Sequence, residues 1–96
     1  MTPRPVEALS IAFQSDKHPR DYAELGALVE SYGFGTISVY ADLMFQPPLA
    51  ALLLMAGATR QICLGPACLN PYLTHPVEIA GQIALLDAAS GGRAYL

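Results

Sequence analysis

Three polar side chains stand beside apolar segments, where an acid, a base or an amide would be useful for chemistry. Asp42 follows the run TISVY, and Asn70 and His75 precede a second apolar stretch. His75 is a catalytic candidate because histidine is a common proton-transfer group, and His18 is a weaker candidate. Each has a structural alternative: a turn residue for Asp42, an Asn-Pro turn for Asn70, and the first turn of a helix for His75.

Two cysteines offer neither a disulfide nor a metal site. Cys63 and Cys68 are separated along a predicted strand by about 16 Å, whereas a disulfide needs alpha carbons within about 7 Å. The sequence contains no second pair to complete a zinc site. We therefore predict reduced cysteines that act as small core residues, and no bound metal.

Strands and helices alternate in the sequence and must position these candidates. Apolar and β-branched runs predict strands at 8–13, 36–40 and 62–65. Amphipathic spacing predicts helices at 22–32 and 49–58 and a third that begins at 75–76 and stops at 90–92. A fourth strand is predicted to start at 93–96. Alternation of this kind predicts right-handed crossovers, a parallel sheet and the α/β class.

The candidates fall in the longer connections, which follow strands. The segments 14–18, 41–46 and 66–74 are longer than the links from helix to strand, and parallel α/β proteins build sites at the carboxyl ends of strands. The first such segment, QSDKHP, contains no glycine, which disfavours a dinucleotide-binding turn. Periodicity and composition leave an open flavodoxin-like sheet and a segment of a barrel as alternatives.

Charge and apolar content exclude several partners. The net charge is −3 with five Lys and Arg, so no basic patch favours nucleic acid. The longest apolar run, 49–58, is shorter than the roughly 20 residues of a membrane span, and no signal peptide is evident. We therefore predict a cytoplasmic protein that binds neither nucleic acid nor membranes. With 53% hydrophobic residues, the chain carries more apolar surface than one small domain buries alone.

The segment GPACLNPYLTHPV at 65–77, followed by SGGR at 90–93, resembles the bacterial luciferase-like flavin- or deazaflavin-dependent oxidoreductases. It is most similar to the members that resemble methylenetetrahydromethanopterin reductase. The resemblance implies a TIM (β/α)8 barrel, which needs about 250 residues. Residues 1–96 would then form a partial barrel domain, truncated at its C-terminus, with about three βα units and the start of a fourth strand.

The resemblance also implies a coenzyme site. In the family the third strand ends in a bulge with a non-prolyl cis peptide that supports the central ring, and here that bond falls between Ala67 and Cys68. Asn70 matches a polar side chain that hydrogen-bonds the coenzyme. Asp42 matches a carboxylate near the redox ring, which makes it the second catalytic candidate. The Ser-Gly-Gly-Arg turn is interpreted as a structural feature at the far end of the barrel.

One departure from the family pattern affects the predicted chemistry. Reductase-like relatives follow the carboxylate with histidine, whereas here Leu43 follows Asp42, with Met44 as a possible insertion. The resemblance implies deazaflavin coenzyme F-420 or FMN, with the deazaflavin favoured. It also implies a small-molecule substrate and a full-length parent that forms a homo-oligomer.

The sequence therefore predicts part of an oxidoreductase, inactive alone, whose parent performs hydride transfer or monooxygenation at the carboxyl-end mouth of the barrel. One alternative is a non-catalytic assembly module that completes a barrel with a partner chain, which an apolar inner sheet face would favour. Another is a small open α/β domain with a doubly wound sheet, which would require the strand order to reverse.

Overall fold

A computed structural model describes residues 9–42 and 44–96, in which strands and helices alternate. The strands are β1 (Ser10–Phe13), β2 (Thr36–Tyr40) and β3 (Cys63–Ala67), and the helices are α1 (Pro19–Ser31), α2 (Pro48–Ala56) and α3 (Pro76–Ser90). The predicted α/β class is confirmed. None of the helices in the described ranges is long and apolar enough to cross a membrane.

The strands are parallel and lie side by side in sequence order. β1 pairs with β2 and β2 with β3, so that Ser38 lies opposite Gly65. A parallel bridge between Leu64 and Ala94 places the following segment beside β3. A doubly wound sheet would require the strand order to reverse, and among the described strands it does not.

One face of the sheet packs against the helices and forms the core. Ile37, Val39 and Leu64 are fully buried, in one cluster with Leu52 of α2 and Leu86 of α3. Because successive strand residues point to opposite faces, the second face carries mostly short side chains, with Tyr40 at the end of β2 as the exception.

The second face of the sheet carries mostly short and partly polar side chains. Tyr95 lies across it, with its hydroxyl hydrogen-bonded to that of Ser38. A Cβ on Gly65 would stand 2.5 Å from the Tyr95 ring, so only glycine leaves room for this ring on β3. Short side chains on the strands therefore make space for an aromatic ring from the segment beside β3.

Some predicted boundaries differ from the structure. β3 continues to Ala67 rather than ending at Gly65, because the Gly-Pro-Ala segment pairs with β2. α2 ends at Ala56, and β1 starts at Ser10, which is exposed, with its other residues half-buried. Ala8 lies outside the described residues. The predicted fourth strand is represented by the bridge at Ala94.

The amino-terminal edge of the sheet is tied together by Arg93. Its guanidinium donates to the carbonyl oxygens of Ser90, Ile62, Ala56 and Thr59 and to the Thr59 hydroxyl, at 2.5–3.2 Å. Gly91 ends α3 in the left-handed conformation at φ 70° and so turns the chain toward this position. The structure agrees with the structural interpretation of the Ser-Gly-Gly-Arg turn.

Glu30 closes the same edge from α1. Its carboxylate accepts hydrogen bonds from the backbone N–H groups of Arg60, Gln61 and Ile62, at 2.7–3.2 Å. Partial burial raises the pKa of Glu30, but the N–H groups of Gln61, Ile62 and Arg60 and the charge of Arg93 lower it, so that its pKa lies below the ordinary 4.5. The turn before β3 is thus held by a carboxylate on one side and a guanidinium on the other.

Candidate functional site

At the carboxyl edge of the sheet, the first two strand-to-helix loops are joined through Gln46. Its backbone N–H donates to the Ser15 carbonyl at 2.9 Å, and its side-chain amide donates to the Lys17 carbonyl at 2.9 Å. The Tyr22 hydroxyl donates to its side-chain oxygen. No sequence pattern marks Gln46, because its partners lie more than 20 residues away along the chain.

Asp42 lies on this edge and is exposed. Its Oδ2 accepts a hydrogen bond from the Gln14 side-chain amide at 2.5 Å, which ties the carboxylate to the end of β1. Met44, in the same loop, has φ 70° and is 93% exposed. Leu43, which stands where reductase-like relatives have histidine, lies outside the described residues. Asp42 is therefore hydrogen-bonded across the edge, and its other carboxylate oxygen has no partner among the described residues.

The bend after β3 is made by Cys68 in the left-handed region, at φ 60°. The Ala67–Cys68 peptide is trans, and no cis peptide occurs in residues 9–42 or 44–96, in contrast to the cis bond that the resemblance implies. The left-handed conformation of Cys68 turns the chain here without a non-prolyl cis bond, which would cost about 3–4 kcal/mol. The Ala67 carbonyl accepts the Ala41 N–H at 3.1 Å, which joins this bend to the second loop.

The cysteines are free, as predicted, but they do not lie in the core. Cys63 is half-buried and Cys68 is exposed. The prediction of two core residues was wrong because Cys63 lies on the second face of the sheet, and Cys68 follows β3 rather than belonging to it.

Asn70 organises the third loop. Its Oδ1 accepts the Tyr72 N–H at 2.8 Å, and its carbonyl accepts the N–H groups of Leu73 and Thr74 at 3.1 and 3.2 Å. This is the predicted Asn-Pro turn. Within the described part of the chain, the Asn70 side-chain NH2 has no protein partner, so Asn70 is both a turn residue and a donor toward the edge.

The histidines cap helices. His75 Nδ1 accepts the Val77 N–H at 3.1 Å at the start of α3, and His18 Nδ1 accepts the Arg20 N–H at 3.3 Å at the start of α1. In both cases proline occupies the first helical position, where no N–H is needed. The structure therefore gives His75 a structural role and engages the nitrogen that a base would use.

A cleft of about 430 Å³ lies between the second and third loops and is called the loop cleft below. It is formed by residues in 41–42, 44–49 and 69–82. Its polar lining consists of Asp42, Gln46, Asn70, Thr74 and Gln82. Sequence reasoning missed Gln46, Thr74 and Gln82, since single polar residues in loops and within a helix carry no distinct pattern.

The predicted coenzyme residues divide between two places. Asp42 and Asn70 line the loop cleft. Cys68 lines a neighbouring cleft of about 380 Å³ between β3 and α3, and Ala67 lines neither of them. Ser15, at the end of β1, is fully buried, and its hydroxyl has no hydrogen-bond partner among the described residues. The edge thus brings the candidates near one another without joining them in one pocket.

Charged side chains are few in the loop cleft. Asp42 is the one ionisable side chain among the described residues that line the loop cleft. Lys17 Nζ, on the first loop, is engaged by the Gln14 carbonyl at 3.0 Å and by Asp16 Oδ1 at 2.9 Å. No group of three or more His, Cys, Asp or Glu within 9–42 and 44–96 is arranged to hold a metal ion.

The sequence matches the luciferase-like monooxygenase family over residues 5–96. The chain belongs to this family. It is 35% identical over 89 residues to the 5,10-methylenetetrahydromethanopterin reductase of Methanopyrus kandleri, a match that covers 93% of this chain and 26% of that enzyme. The chain therefore spans about a quarter of the length of this luciferase-like relative.

Solved structures agree with the family assignment. The coenzyme F-420 dependent tetrahydromethanopterin reductase of Methanopyrus kandleri superposes with a TM-score of 0.84 at 36% identity, over 90% of this chain and 25% of that one. Monooxygenase RslO1 from Streptomyces bottropensis gives a TM-score of 0.77 at 22% identity, over 92% of this chain and 32% of that one, and this likeness shows the fold alone. Both neighbours are TIM barrels, which confirms the predicted fold class.

Proposed function

We propose that residues 1–96 form the first quarter of an oxidoreductase barrel whose redox coenzyme, deazaflavin F-420 or FMN, binds at the carboxyl edge of the sheet. The observation that carries this proposal is the Gly-Pro-Ala-Cys segment, which ends β3 in an exposed bend at the edge where the loops converge. The likeness to an F-420 dependent reductase over 90% of the chain favours the deazaflavin.

The residues at the bend suit a flat ring. Ala67 and Cys68 have short side chains, and Asn70, two residues further on, has an amide NH2 to donate. Lys17, one cation at this edge, is already engaged by the Gln14 carbonyl and by Asp16. We assign the ring to the segment at the bend.

The bound coenzyme would supply the hydride or the oxygen chemistry, while the protein positions it and excludes water. Asp42 and Asn70 would act as positioning groups, with Asp42 held by Gln14. We assign His75 no part in the reaction, because its Nδ1 caps the start of α3. Hydride transfer or monooxygenation of a small molecule, a cytoplasmic location and a homo-oligomeric parent are parts of the same proposal.

A fluorescence titration tests the proposal. The 96-residue chain and a chain extended through the later strands of the barrel are titrated separately with FMN and F-420. Saturable binding by the extended chain alone supports a site completed by later strands. Tight binding by the 96 residues would overturn the claim that this segment lacks part of the site, and no binding by either chain would overturn the coenzyme assignment.

A matched pair of variants locates the ring in the extended chain. Cys68→Leu adds bulk at the bend, whereas Ala58→Leu adds similar bulk at an exposed position on the opposite edge. We expect Cys68→Leu to weaken coenzyme binding about tenfold or more and Ala58→Leu to leave it unchanged. Equal effects would place the ring elsewhere.

A further inference from the structure

We propose that Tyr95 and Ser38 form the floor of the coenzyme site, where their hydroxyl pair donates one hydrogen bond to a polar atom of the coenzyme ring. The inference rests on the proposed function, because it takes the bend at Ala67 and Cys68 as the place of that ring. It adds two residues that no sequence pattern connects, since they are 57 residues apart in the chain.

The ring of Tyr95 lies flat on β3. A Cβ on Gly65 would stand 2.5, 2.6 and 2.6 Å from Cζ, Cε1 and Cε2 of Tyr95. A point at nearly equal distances from three atoms of a six-membered ring lies above the centre of that ring. One face of the Tyr95 ring therefore covers Gly65, and the other face is turned away from the strands.

The glycine that Tyr95 covers lies one layer below the bend. Cys63, Gly65 and Ala67 point to the second face of the sheet, because strand residues alternate between faces. Gly65 and Ala67 are two residues apart, so they are separated by about 7 Å along β3, at about 3.3 Å per residue. Aromatic rings contact each other at centroid separations of about 4.5–7 Å, so a flat ring placed against Ala67 contacts the rim of Tyr95.

The hydroxyl pair has one proton more than its own hydrogen bond uses. The hydroxyls of Tyr95 and Ser38 are hydrogen-bonded to each other, and either oxygen can be the donor. Each hydroxyl carries one proton, so one proton makes this bond and the other is left over. Within 9–42 and 44–96 neither side chain has another hydrogen-bond partner. The pair therefore offers one O–H donor, whichever oxygen holds it.

Other side chains on the second face also carry donors that have no protein acceptor in the described part of the chain: Ser10, Thr36, Tyr40 and Cys63. Ser10, Thr36 and Cys63 lie one layer further from the bend than Ser38. Tyr40 is paired with Ala67 and lies beside the bend. The pair differs from Tyr40 because it lies below the bend and because Gly65 and Ser38 fix the position of the Tyr95 ring.

Coenzyme binding by the extended chain tests the pair through Ser38→Ala, Tyr95→Phe and the double variant, each titrated separately with FMN and F-420. Each single variant retains one O–H, so we expect affinity to fall by no more than about threefold. The double variant removes the last donor, and its affinity should fall about tenfold or more. The absorption bands of the bound coenzyme should shift clearly in the double variant alone.

This pattern distinguishes a donor to the coenzyme from a purely structural pair. If the hydroxyls served only each other, either single substitution would already break their bond, and the double variant would bind no more weakly than the single ones. Tyr32→Phe is the matched control, because Tyr32 is exposed at the end of α1, at the opposite edge of the sheet. It should change neither the affinity nor the spectrum.

Gly65→Ala tests the position of the Tyr95 ring without removing a hydroxyl. The added Cβ would stand 2.5 Å from the ring, so the ring must move away from the sheet, and binding should weaken about tenfold or more. Gly57→Ala is its control, because a Cβ there meets no atom closer than 3.7 Å. Circular dichroism checks that each variant retains its helices.

Failure of this inference can be told from failure of the proposed function. A wild-type extended chain that binds neither coenzyme would overturn both. If the wild-type chain binds, a double variant with unchanged affinity and spectrum, or single variants as weak as the double one, would overturn the inference alone. Equal effects of Gly65→Ala and Gly57→Ala would contradict a floor formed by Tyr95.

Discussion

The two edges of the sheet are built differently, although the same strands and helices form both. At the amino-terminal edge, Arg93 and Glu30 saturate the backbone groups of the turn before β3 with charged hydrogen bonds. At the carboxyl edge, Asp42 and Asn70 are exposed with hydrogen-bonding capacity to spare, and the Ser15 hydroxyl has no described partner.

This difference separates stability from binding. Charged hydrogen bonds that satisfy backbone groups hold one end of each unit in place, so the loops at the other end can carry exposed polar groups at little cost to the fold. Substitutions at the amino-terminal edge should therefore change stability, and substitutions at the carboxyl edge should change ligand binding.

The largest expected effect is that of Arg93→Ala. It removes the donors to three segments and leaves several carbonyl oxygens without partners, which should lower the free energy of unfolding by about 3 kcal/mol. Urea denaturation measures the change. Arg93→Lys should recover little of it, because an ammonium cannot reproduce the planar fork.

Arg60→Ala is the control for Arg93. Arg60 is exposed, and its backbone N–H rather than its side chain contacts Glu30, so we expect a change below about 0.5 kcal/mol. A loss from Arg93→Ala no larger than this would refute the stabilising role of the amino-terminal edge.

Glu30→Gln should have a smaller effect that depends on pH. The pKa of Glu30 is lower in the folded chain than its ordinary value of 4.5, so its contribution is present above pH 4.5 and is lost as the pH falls through the lower folded pKa. Near neutral pH we expect a loss of about 1 kcal/mol, from weaker bonds to the three backbone N–H groups.

Urea denaturation of wild-type and Glu30→Gln chains, near neutral pH and at several values below pH 4.5, tests this dependence. The stability difference between them should shrink as the pH falls. A difference that stays constant would mean that the carboxylate charge contributes nothing to this edge.

The smallest expected effect concerns His75, at the carboxyl edge. His75→Ala removes the N-cap of α3 and should cost about 0.5 kcal/mol, while His75→Asn should restore most of this, because Asn is a good N-cap. Thermal unfolding followed by circular dichroism measures both variants. Equal losses for Ala and Asn would show that capping is not the role of His75.

The alternation of elements was predictable because it is local. The run TISVY has the composition of a strand, and β2 occupies 36–40 as predicted. Glycine after Ser90 predicted the end of α3, since a left-handed residue there needs no side chain. The Asn-Pro turn at Asn70 is likewise a property of adjacent residues.

The arrangement of the candidate site was only partly predictable. Asp42, Asn70 and Cys68 were expected at one edge, and the structure places them there, but Cys68 faces a different cleft. The role of Gln46 depends on the first loop, and that of Tyr95 depends on Ser38, 57 residues earlier in the chain. Side chains that meet only in the folded sheet leave no periodic signal.

The sequence by itself determined the order and type of the elements, the parallel sheet and the edge that holds the candidate residues, because hydrophobic period, helix caps and loop lengths act over a few residues. Only the tertiary structure decided which face of the sheet carries short and partly polar side chains and how Arg93 and Glu30 hydrogen-bond the turn before β3. It also decided that Asp42 lines the loop cleft and Cys68 does not. The physical reason is that these features depend on contacts between distant segments, whose geometry is fixed by packing of the whole sheet and its helices.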